Sequence, residues 1–150
     1  MTTTAQPGTG QDRAMRPDPT ALSPAELVAT MPFARHTGVA ISAASREEVV
    51  GHLDWAEERT TLGGGFHGGA LMTLADSLGA VAAFLHLPEG AGTATVSSST
   101  VLLKAARPGR VTGRARVVSA GRRFITVQTD LTDEEGRPVA STTQVQAVLA

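Results

Sequence analysis

Residues 62–87 read LGGGFHGGALMTLADSLGAVAAFLHL, and the rest of the chain is organised around this stretch. From Ala70 onward it is rich in good helix formers and apolar on every side, which is typical of a buried helix. Its one formal charge is Asp76, and a buried carboxylate is costly unless it is paired or hydrogen-bonded. Gly, His and Asp interrupt the stretch too often for a membrane span, which needs about 20 apolar residues. The sequence therefore predicts a central core helix that carries a functional carboxylate.

The glycine-rich start of this helix predicts a second property. The first N–H groups of a helix lack internal partners and lie at the positive end of its dipole, so they bind anions or a developing oxyanion. Gly68 and Gly69 would allow a substrate carbonyl to approach the backbone closely. Backbone N–H groups that polarise a carbonyl, together with a carboxylate, are the equipment for acyl transfer.

The spacing of the two groups predicts a shared site. Asp76 lies eight residues beyond Gly68, so the two are about 12 Å apart along one helix. A base or nucleophile must come within about 3 Å of its target, directly or through one water. Two antiparallel copies of the helix could bring the glycine end of one beside the Asp of the other. The motif thus predicts a homodimer with shared sites.

Composition limits the other classes of function. The 150 residues carry a net charge of −1, with four Phe, one Trp and no Tyr, which argues against a nucleic-acid binder. Without cysteine there is no disulfide framework or thiolate zinc site, and His36, His52 and His86 show no metal spacing. The N-terminus lacks the layout of a signal peptide, so we expect a soluble cytoplasmic protein without a metal or a membrane partner.

The chain is expected to form one domain, residues 21–150, after a disordered tail at residues 1–20. Ser23-Pro24-Ala25-Glu26 predicts a helix start with Ser at the N-cap and Glu at N3, and this helix should end near Met31-Pro32. A connection over Phe33–Ile41 leads into a first short strand.

The remaining segments alternate or carry turn signals and predict strands. Residues 139, 145, 147 and 149 are expected to share one face of the last strand. The order is a helix, two strands, the long helix and four strands in a meander. This is an α+β protein with an antiparallel sheet wrapped around one helix. Beyond the first short strand, the predicted strands cover residues 47–55, 93–104, 111–120, 123–131 and 139–149.

Phe66-His67-Gly68-Gly69, followed by Leu74-Ala75-Asp76-Ser77, resembles the signature of the hot-dog-fold thioesterases, specifically their PaaI-like, phenylacetate-pathway branch. The similarity extends from about Phe33 to Leu149 and includes the Arg107-Pro108-Gly109 turn. The resemblance implies the hot-dog fold and hydrolysis of acyl-CoA thioesters, with CoA as part of the substrate and no cofactor. It also implies homodimers or homotetramers with active sites at subunit interfaces.

Carried over to this chain, the resemblance implies that the Gly68 N–H polarises the thioester carbonyl beside His67. Asp76 of the facing protomer would be the nucleophile or the general base. Relatives often have Asn at the position of Thr61, and a Thr hydroxyl is shorter and has a different donor capacity. Further substrate contacts are expected from Gly69, Thr95 and Met72. A basic rim for the CoA phosphates is expected among Lys104, Arg107, Arg110, Arg122, Arg123 and Arg137.

Structural roles compete with these assignments. His67 could only cap a loop, and Asp76 could simply pair with a hydroxyl of the neighbouring helix, for instance that of Thr73 or Ser77. Two other functions stay open beside the thioesterase: a hot-dog hydratase or dehydratase, and a non-catalytic acyl-CoA-binding module, for which Thr61 leaves room.

Overall fold

A computed structural model describes residues 21–149 and shows one antiparallel sheet wrapped around a long helix. The six strands lie in the order β1-β2-β4-β5-β6-β3. The prediction of a sheet on one central helix is confirmed. The proposed tail, residues 1–20, lies outside the described part, as does Ala150. The elements are α1 (Pro24–Ala29), α2 (Pro32–Thr37), β1 (Ala40–Ala44), β2 (Val49–Asp54), α3 (Gly68–Phe84), β3 (Gly92–Leu102), β4 (Arg110–Ala120), β5 (Phe124–Thr132) and β6 (Pro138–Leu149).

The helix start at Ser23 forms as predicted. The Ser23 side chain accepts from the Glu26 N–H, and the Glu26 carboxylate accepts from the Ser23 N–H at 2.8 Å, which completes a capping box. The prediction of a plain connection after Pro32 is wrong. Pro32 begins α2, and Gly38 ends it in the left-handed region at φ 85°.

Strand β3 departs from the predicted meander. It pairs only with β6, at one edge of the sheet, while β4 pairs with β2 and β5. The connection between β3 and β4 passes the start of α3, where the Ala106 carbonyl accepts from the Phe66 N–H at 3.0 Å. The turn at Gly109 then places β4 beside β2, because the Gly109 carbonyl accepts from the Trp55 N–H at 2.8 Å.

The last strand turns a different face to the helix than predicted. Val139 is buried as expected, but Val145, Ala147 and Leu149 are not. The buried face of β6 instead carries polar side chains. It meets hydroxyls of β3 and the polar part of α3, so hydrogen bonds replace apolar packing there. The buried polar residues of this face are Thr142, Gln144 and Gln146.

Helix α3 is the centre of the core. Leu74, Ala75, Leu78 and Ala83 on it are fully buried, as its all-round apolar pattern predicts. Ile125, Val127, Thr129 and Leu131 of β5 form one buried face. Within residues 21–149, no helix is long and apolar enough to cross a membrane.

Candidate active site

The start of α3 is held in a defined geometry. His67 is its N-cap, and the His67 Nδ1 accepts from the Gly69 N–H at 2.9 Å. The Arg59 carbonyl accepts from the His67 N–H at 2.8 Å. The capping role suggested for His67 is therefore confirmed. Since Nδ1 acts as an acceptor, the neutral ring carries its proton on Nε2.

Gly68 presents the N–H group that the sequence singled out. Among residues 21–149, no acceptor is hydrogen-bonded to the Gly68 N–H, whereas the Gly69 N–H is engaged by His67. A Cβ atom at position 68 would lie 2.9 Å from the Leu102 Cδ1. A donor without a partner at a helix N-terminus can bind an oxyanion, and the missing side chain leaves the approach open.

The loop before α3 is a structured turn rather than a flexible linker. The Gly65 carbonyl accepts from the Thr61 N–H at 2.9 Å, and the Thr61 carbonyl accepts from the Gly64 N–H at 3.0 Å. Gly63 and Gly64 have φ values of 92° and 77°, which side chains disfavour. The Trp55 Nε1–H donates to the Gly64 carbonyl at 2.9 Å. Thr61 is thus fixed at the same end of α3 as Gly68, with its side chain exposed.

Asp76 lies near the middle of α3 and faces a cavity of about 440 Å³. We call this space the Asp76 cavity. The Asp76 Oδ1 accepts a 2.6 Å hydrogen bond from the Nε2 of Gln144 on β6. No residue in the described range is hydrogen-bonded to the other oxygen, Oδ2. The cavity is otherwise lined by Met31, Pro32, Phe33, Ala34, Met72, Thr73, Ser77, Ala80 and Ser98.

The hydroxyls that could have satisfied Asp76 bind elsewhere. The Thr73 hydroxyl donates to the Gly69 carbonyl at 2.8 Å, and the Ser77 hydroxyl donates to the Thr73 carbonyl at 2.7 Å. Both bonds follow the helix backbone and leave the carboxylate to Gln144. Within the chain, neither hydroxyl is hydrogen-bonded to Asp76; its pairing with a hydroxyl of a neighbouring helix stays a prediction.

Two opposing effects act on the pKa of Asp76. Asp76 is exposed in the single chain, but partial burial against the cavity walls still disfavours the charged form and raises the pKa above its ordinary value of 3.8. The hydrogen bond from Gln144 favours the charged form and lowers the pKa, but by less. Asp76 thus has a higher proton affinity than a surface carboxylate, which suits a general base.

Asp76 and Gly68 open into different cavities of the same chain. Gly68 lines a cavity of about 350 Å³ with Leu71 and Leu102, which does not include Asp76. Both residues lie on α3, eight positions apart, or about 12 Å along its axis. One chain by itself therefore does not bring the predicted catalytic groups together.

Of the other predicted contacts, Met72 lines the Asp76 cavity and Thr95 does not. The Thr95 hydroxyl accepts from the Gln146 Nε2 at 2.9 Å. A bulge at Val96 shifts the register of β3, so that Ser98, opposite Gln144, faces the cavity. Ser98 is a cavity residue that the sequence interpretation missed.

The predicted basic rim divides into two groups. Arg110 makes a bidentate contact with Asp54 at 2.6 and 3.0 Å, and Arg137 binds Asp133 at 2.7 Å. Lys104 lies 3.9 Å from the Asp133 carboxylate. Within the described residues no ion pair involves the other three, Arg107, Arg122 and Arg123.

The three arginines without ion pairs lie at opposite ends of the sheet. Arg107 follows Ala106, which is hydrogen-bonded at the start of α3. Arg122 and Arg123 form the turn between β4 and β5 at the other end, where the Arg123 carbonyl accepts from the Val148 N–H. One chain therefore does not bring them together.

Gln144 is the most important residue that sequence reasoning missed. Its signal was present, because Thr142, Gln144 and Gln146 alternate in β6 as a polar set. The alternation instead predicts that the apolar residues of this strand face inward. For metal binding, the described residues contain no cluster of three or more His, Asp or Glu side chains that could hold an ion.

Residues 63–140 match the family described as the thioesterase superfamily. A Mycobacterium tuberculosis protein named putative esterase is 30% identical over 129 residues, which cover 84% of this chain and 91% of that protein. The solved structure of a Haemophilus influenzae thioesterase superposes with a TM-score of 0.80 at 25% identity, over 85% of this chain and 91% of that one. A mutant thioesterase of Pseudomonas aeruginosa has a TM-score of 0.80 at 24% identity, over 86% and 95%, and supports the fold.

Proposed function

The chain belongs to the thioesterase superfamily and has the hot-dog fold, and from this premise we propose that it hydrolyses acyl-CoA thioesters to a free acid and CoA. The observation that carries the proposal is the Gly68 N–H, which has no hydrogen-bond partner among residues 21–149 and lies at the start of the helix that also carries Asp76. CoA enters as part of the substrate, and the proposed reaction needs no cofactor. The phenylacetate-pathway branch of the family stays a prediction, as does the cytoplasmic location.

The Gly68 N–H would polarise the thioester carbonyl. As the carbonyl carbon is attacked, negative charge develops on its oxygen, and a fixed donor at a helix N-terminus stabilises that charge. The Nε2–H of His67 lies on the same segment and acts as a donor, because Nδ1 already accepts from the Gly69 N–H. We therefore assign His67 to substrate contact and to capping, and not to proton abstraction.

Asp76 would drive the attack on the carbonyl carbon. As a general base it takes a proton from water while the water oxygen attacks, and the C–S bond then breaks as the proton passes to the CoA thiolate. As a nucleophile it forms an acyl anhydride with release of CoA thiolate, and water then hydrolyses the anhydride. Both routes need an ionised carboxylate with a free oxygen, and Oδ2 fits that need.

The site requires two protomers. Gly68 and Asp76 are about 12 Å apart on one helix, but they must act on atoms a few ångströms apart. We propose a homodimer, alone or within a homotetramer, in which antiparallel α3 helices bring Gly68 of one protomer to Asp76 of the other. A two-fold axis then gives two identical sites for each dimer.

The acyl group would occupy the apolar space beyond Asp76. A second cavity of about 470 Å³ shares Met31 and Ala80 with the Asp76 cavity and continues along α3 to Phe84. Its other lining residues are Leu22, Leu27, Thr30, Val81 and Thr93. Each volume is in the range of small-molecule sites. We propose aryl or medium-chain acyl groups as substrates.

Ala80 lies between the two cavities, so we expect Ala80→Phe to shorten the acyl group that is accepted. For decanoyl-CoA, kcat/KM should fall at least about tenfold, because the lost space is worth several methylene contacts. For acetyl-CoA or propionyl-CoA the change should be less than about threefold. Thiol release from the whole series measures the effect, and an equal loss for short and long esters would contradict this acyl site.

The phosphates of CoA would meet Arg107, Arg122 and Arg123. These three are the predicted rim residues without an ion pair in the described range, so their charge is available to an anion. Since Arg107 and the pair Arg122–Arg123 lie at opposite ends of one sheet, a single CoA would contact one group from each protomer or only one group.

Thiol release from a panel of acyl-CoA and aryl-CoA esters tests the proposed function. We expect turnover with a preference for apolar acyl groups of medium size. Tight binding without thiol release would indicate the non-catalytic module instead. Hydration of an enoyl-CoA without release of CoA would indicate the hydratase.

Thr61 should affect rate more than chemistry. If the Asn of relatives helps to hold water or the carbonyl, Thr61→Asn should raise kcat/KM. One hydrogen bond contributes about 0.5–1.5 kcal/mol, a factor of about two to ten in rate. If the Thr hydroxyl has taken over this role, Thr61→Val should cost a similar factor and Thr61→Asn should not help. Rates unchanged in both variants would place position 61 outside the site.

A further inference from the structure

Gln144 reaches from the buried face of β6 to the proposed catalytic carboxylate. It is fully buried, and its Nε2 donates to the Asp76 Oδ1 at 2.6 Å. We propose that Gln144 is a positioning residue that fixes one oxygen of Asp76 and leaves the other directed into the cavity. This inference rests on the proposed function, since it assigns a role within the same site.

The path of the Gln144 side chain depends on a glycine in α3. A Cβ atom at Gly79 would lie 1.6 Å from the Gln144 Oε1 and 2.8 Å from its Cδ. The amide therefore occupies the space that any side chain at position 79 would fill. Gly79 is one helical turn from Asp76, so this opening leads the amide to the carboxylate.

The energetics of the amide also indicate a functional role. The Gln144 Oε1 is buried and has no hydrogen-bond partner within residues 21–149. A buried acceptor without a partner costs about 1–3 kcal/mol. An apolar side chain of the same length would avoid this cost. Within residues 21–149, the one hydrogen bond of the Gln144 side chain is with Asp76.

Within residues 21–149 of one chain, no charged side chain lines the cavity beside the Asp76 carboxylate. On α3 itself, Met72, Thr73 and Ala80 lie around Asp76, and β3 contributes Ser98. From α2 and the residue before it, only apolar side chains line the cavity, and neither Arg35 nor His36 does so. The pKa of Asp76 is raised by burial and lowered by Gln144, with no charged neighbour involved. Loss of the Gln144 donor should therefore raise it.

The test is Gln144→Met, which keeps the length of the side chain and removes the donor. We expect kcat to fall about ten- to a hundredfold, the range for losing a hydrogen bond to a charged group. KM should change little, and the acidic limb of the pH–kcat profile should move to higher pH. Carboxylate NMR should show the same rise in the pKa of Asp76. Gln128→Met is the matched control, because Gln128 lies on the outer face of the sheet and contacts Ser141 and Thr143.

An acidic limb and an Asp76 pKa that stay unchanged in Gln144→Met would overturn the proposal, whatever happens to stability. If that variant does not fold, Gln144→Glu provides the test with a side chain of the same shape. Two adjacent carboxyls cannot both ionise easily, so the acidic limb should then move further up. An unmoved limb there would also overturn it. The NMR titration needs no substrate, so absence of thiol release would refute the hydrolysis without deciding the role of Gln144.

Discussion

Asp76→Asn should lower kcat by about 10²- to 10⁴-fold, the contribution usual for a positioned base, while the chain folds and assembles normally. Asn has the shape of Asp, and its Oδ1 can still accept from the Gln144 Nε2. What it lacks is the negative charge and the ability to take a proton. Thiol release under saturating acyl-CoA measures kcat, and size-exclusion chromatography measures assembly.

The same substitution should not destabilise the fold at neutral pH. The pKa of Asp76 is raised in the folded state, so the folded chain holds this proton more tightly than the unfolded chain. Stability from this group is therefore present below the unfolded pKa and is lost as pH rises through the folded pKa. Asn removes that loss, so Tm at pH 7 should equal or exceed the wild-type value.

Asp130→Asn is the control for Asp76→Asn, because Asp130 lies on the outer face of β5 and accepts from the Ser141 hydroxyl at 2.6 Å. It should leave kcat unchanged. A loss of only a few-fold in Asp76→Asn would exclude Asp76 as base or nucleophile. A fall in Tm at neutral pH would contradict the sign of its pKa shift.

Mixing two inactive chains should restore activity if the site is shared. One chain carries Asp76→Asn, and the other carries Gly68→Val, which blocks the start of α3. The atom that a Cβ at position 68 would meet is the Leu102 Cδ1, at 2.9 Å. Because Leu102 is exposed, its side chain can move aside, so we expect Gly68→Val to fold. Each heterodimer then has one site with both groups intact. Random exchange should restore about a quarter of the wild-type activity, since half of the dimers are mixed and half of their sites are complete.

The reciprocal mixture is a sharp control. A chain with both substitutions, mixed with an equal amount of wild type, breaks both sites of every heterodimer. Activity should then fall to about a quarter of that of wild type at the same total chain concentration. If each site lay within a single chain, about half would remain. One variant is labelled with heavy isotopes and the other is left unlabelled, and native mass spectrometry then establishes that mixing is complete. Failure to complement in mixed dimers would place each site in one chain.

Features written in local sequence could be predicted. Ser23 and Glu26 form their capping box within four residues, and the Leu62–Leu87 stretch forms its helix because nearly every position in it is apolar. Asp76 could be singled out because a charge in such a helix requires a partner. The second helix does not follow from the sequence pattern, because Pro32 is compatible both with the end of one helix and with the first position of the next.

Long-range pairing could not be predicted in the same way. The place of β3 depends on β4 filling the position beside β2, which neither strand encodes alone. The partner of Asp76 is 68 residues away, and its strand presents valine and alanine on the opposite face. A bulge at Val96 changes which hydroxyls face the helix, so Ser98 and not Thr95 lines the cavity. Which alternate side chains of a strand face the helix is therefore decided by tertiary contacts.

The glycine in the middle of α3 bears on attempts to make this protein more thermostable. Replacing an interior helix glycine by alanine is a routine choice in stability engineering, because glycine costs about 1 kcal/mol there. At Gly79 the new methyl group would occupy the volume of the Gln144 amide. The amide would have to move, and its hydrogen bond to Asp76 would be lost. A variant of this chain with alanine at position 79 would therefore gain helix propensity but lose the hydrogen bond from Gln144 to Asp76. Position 79 belongs among those held fixed in any redesign.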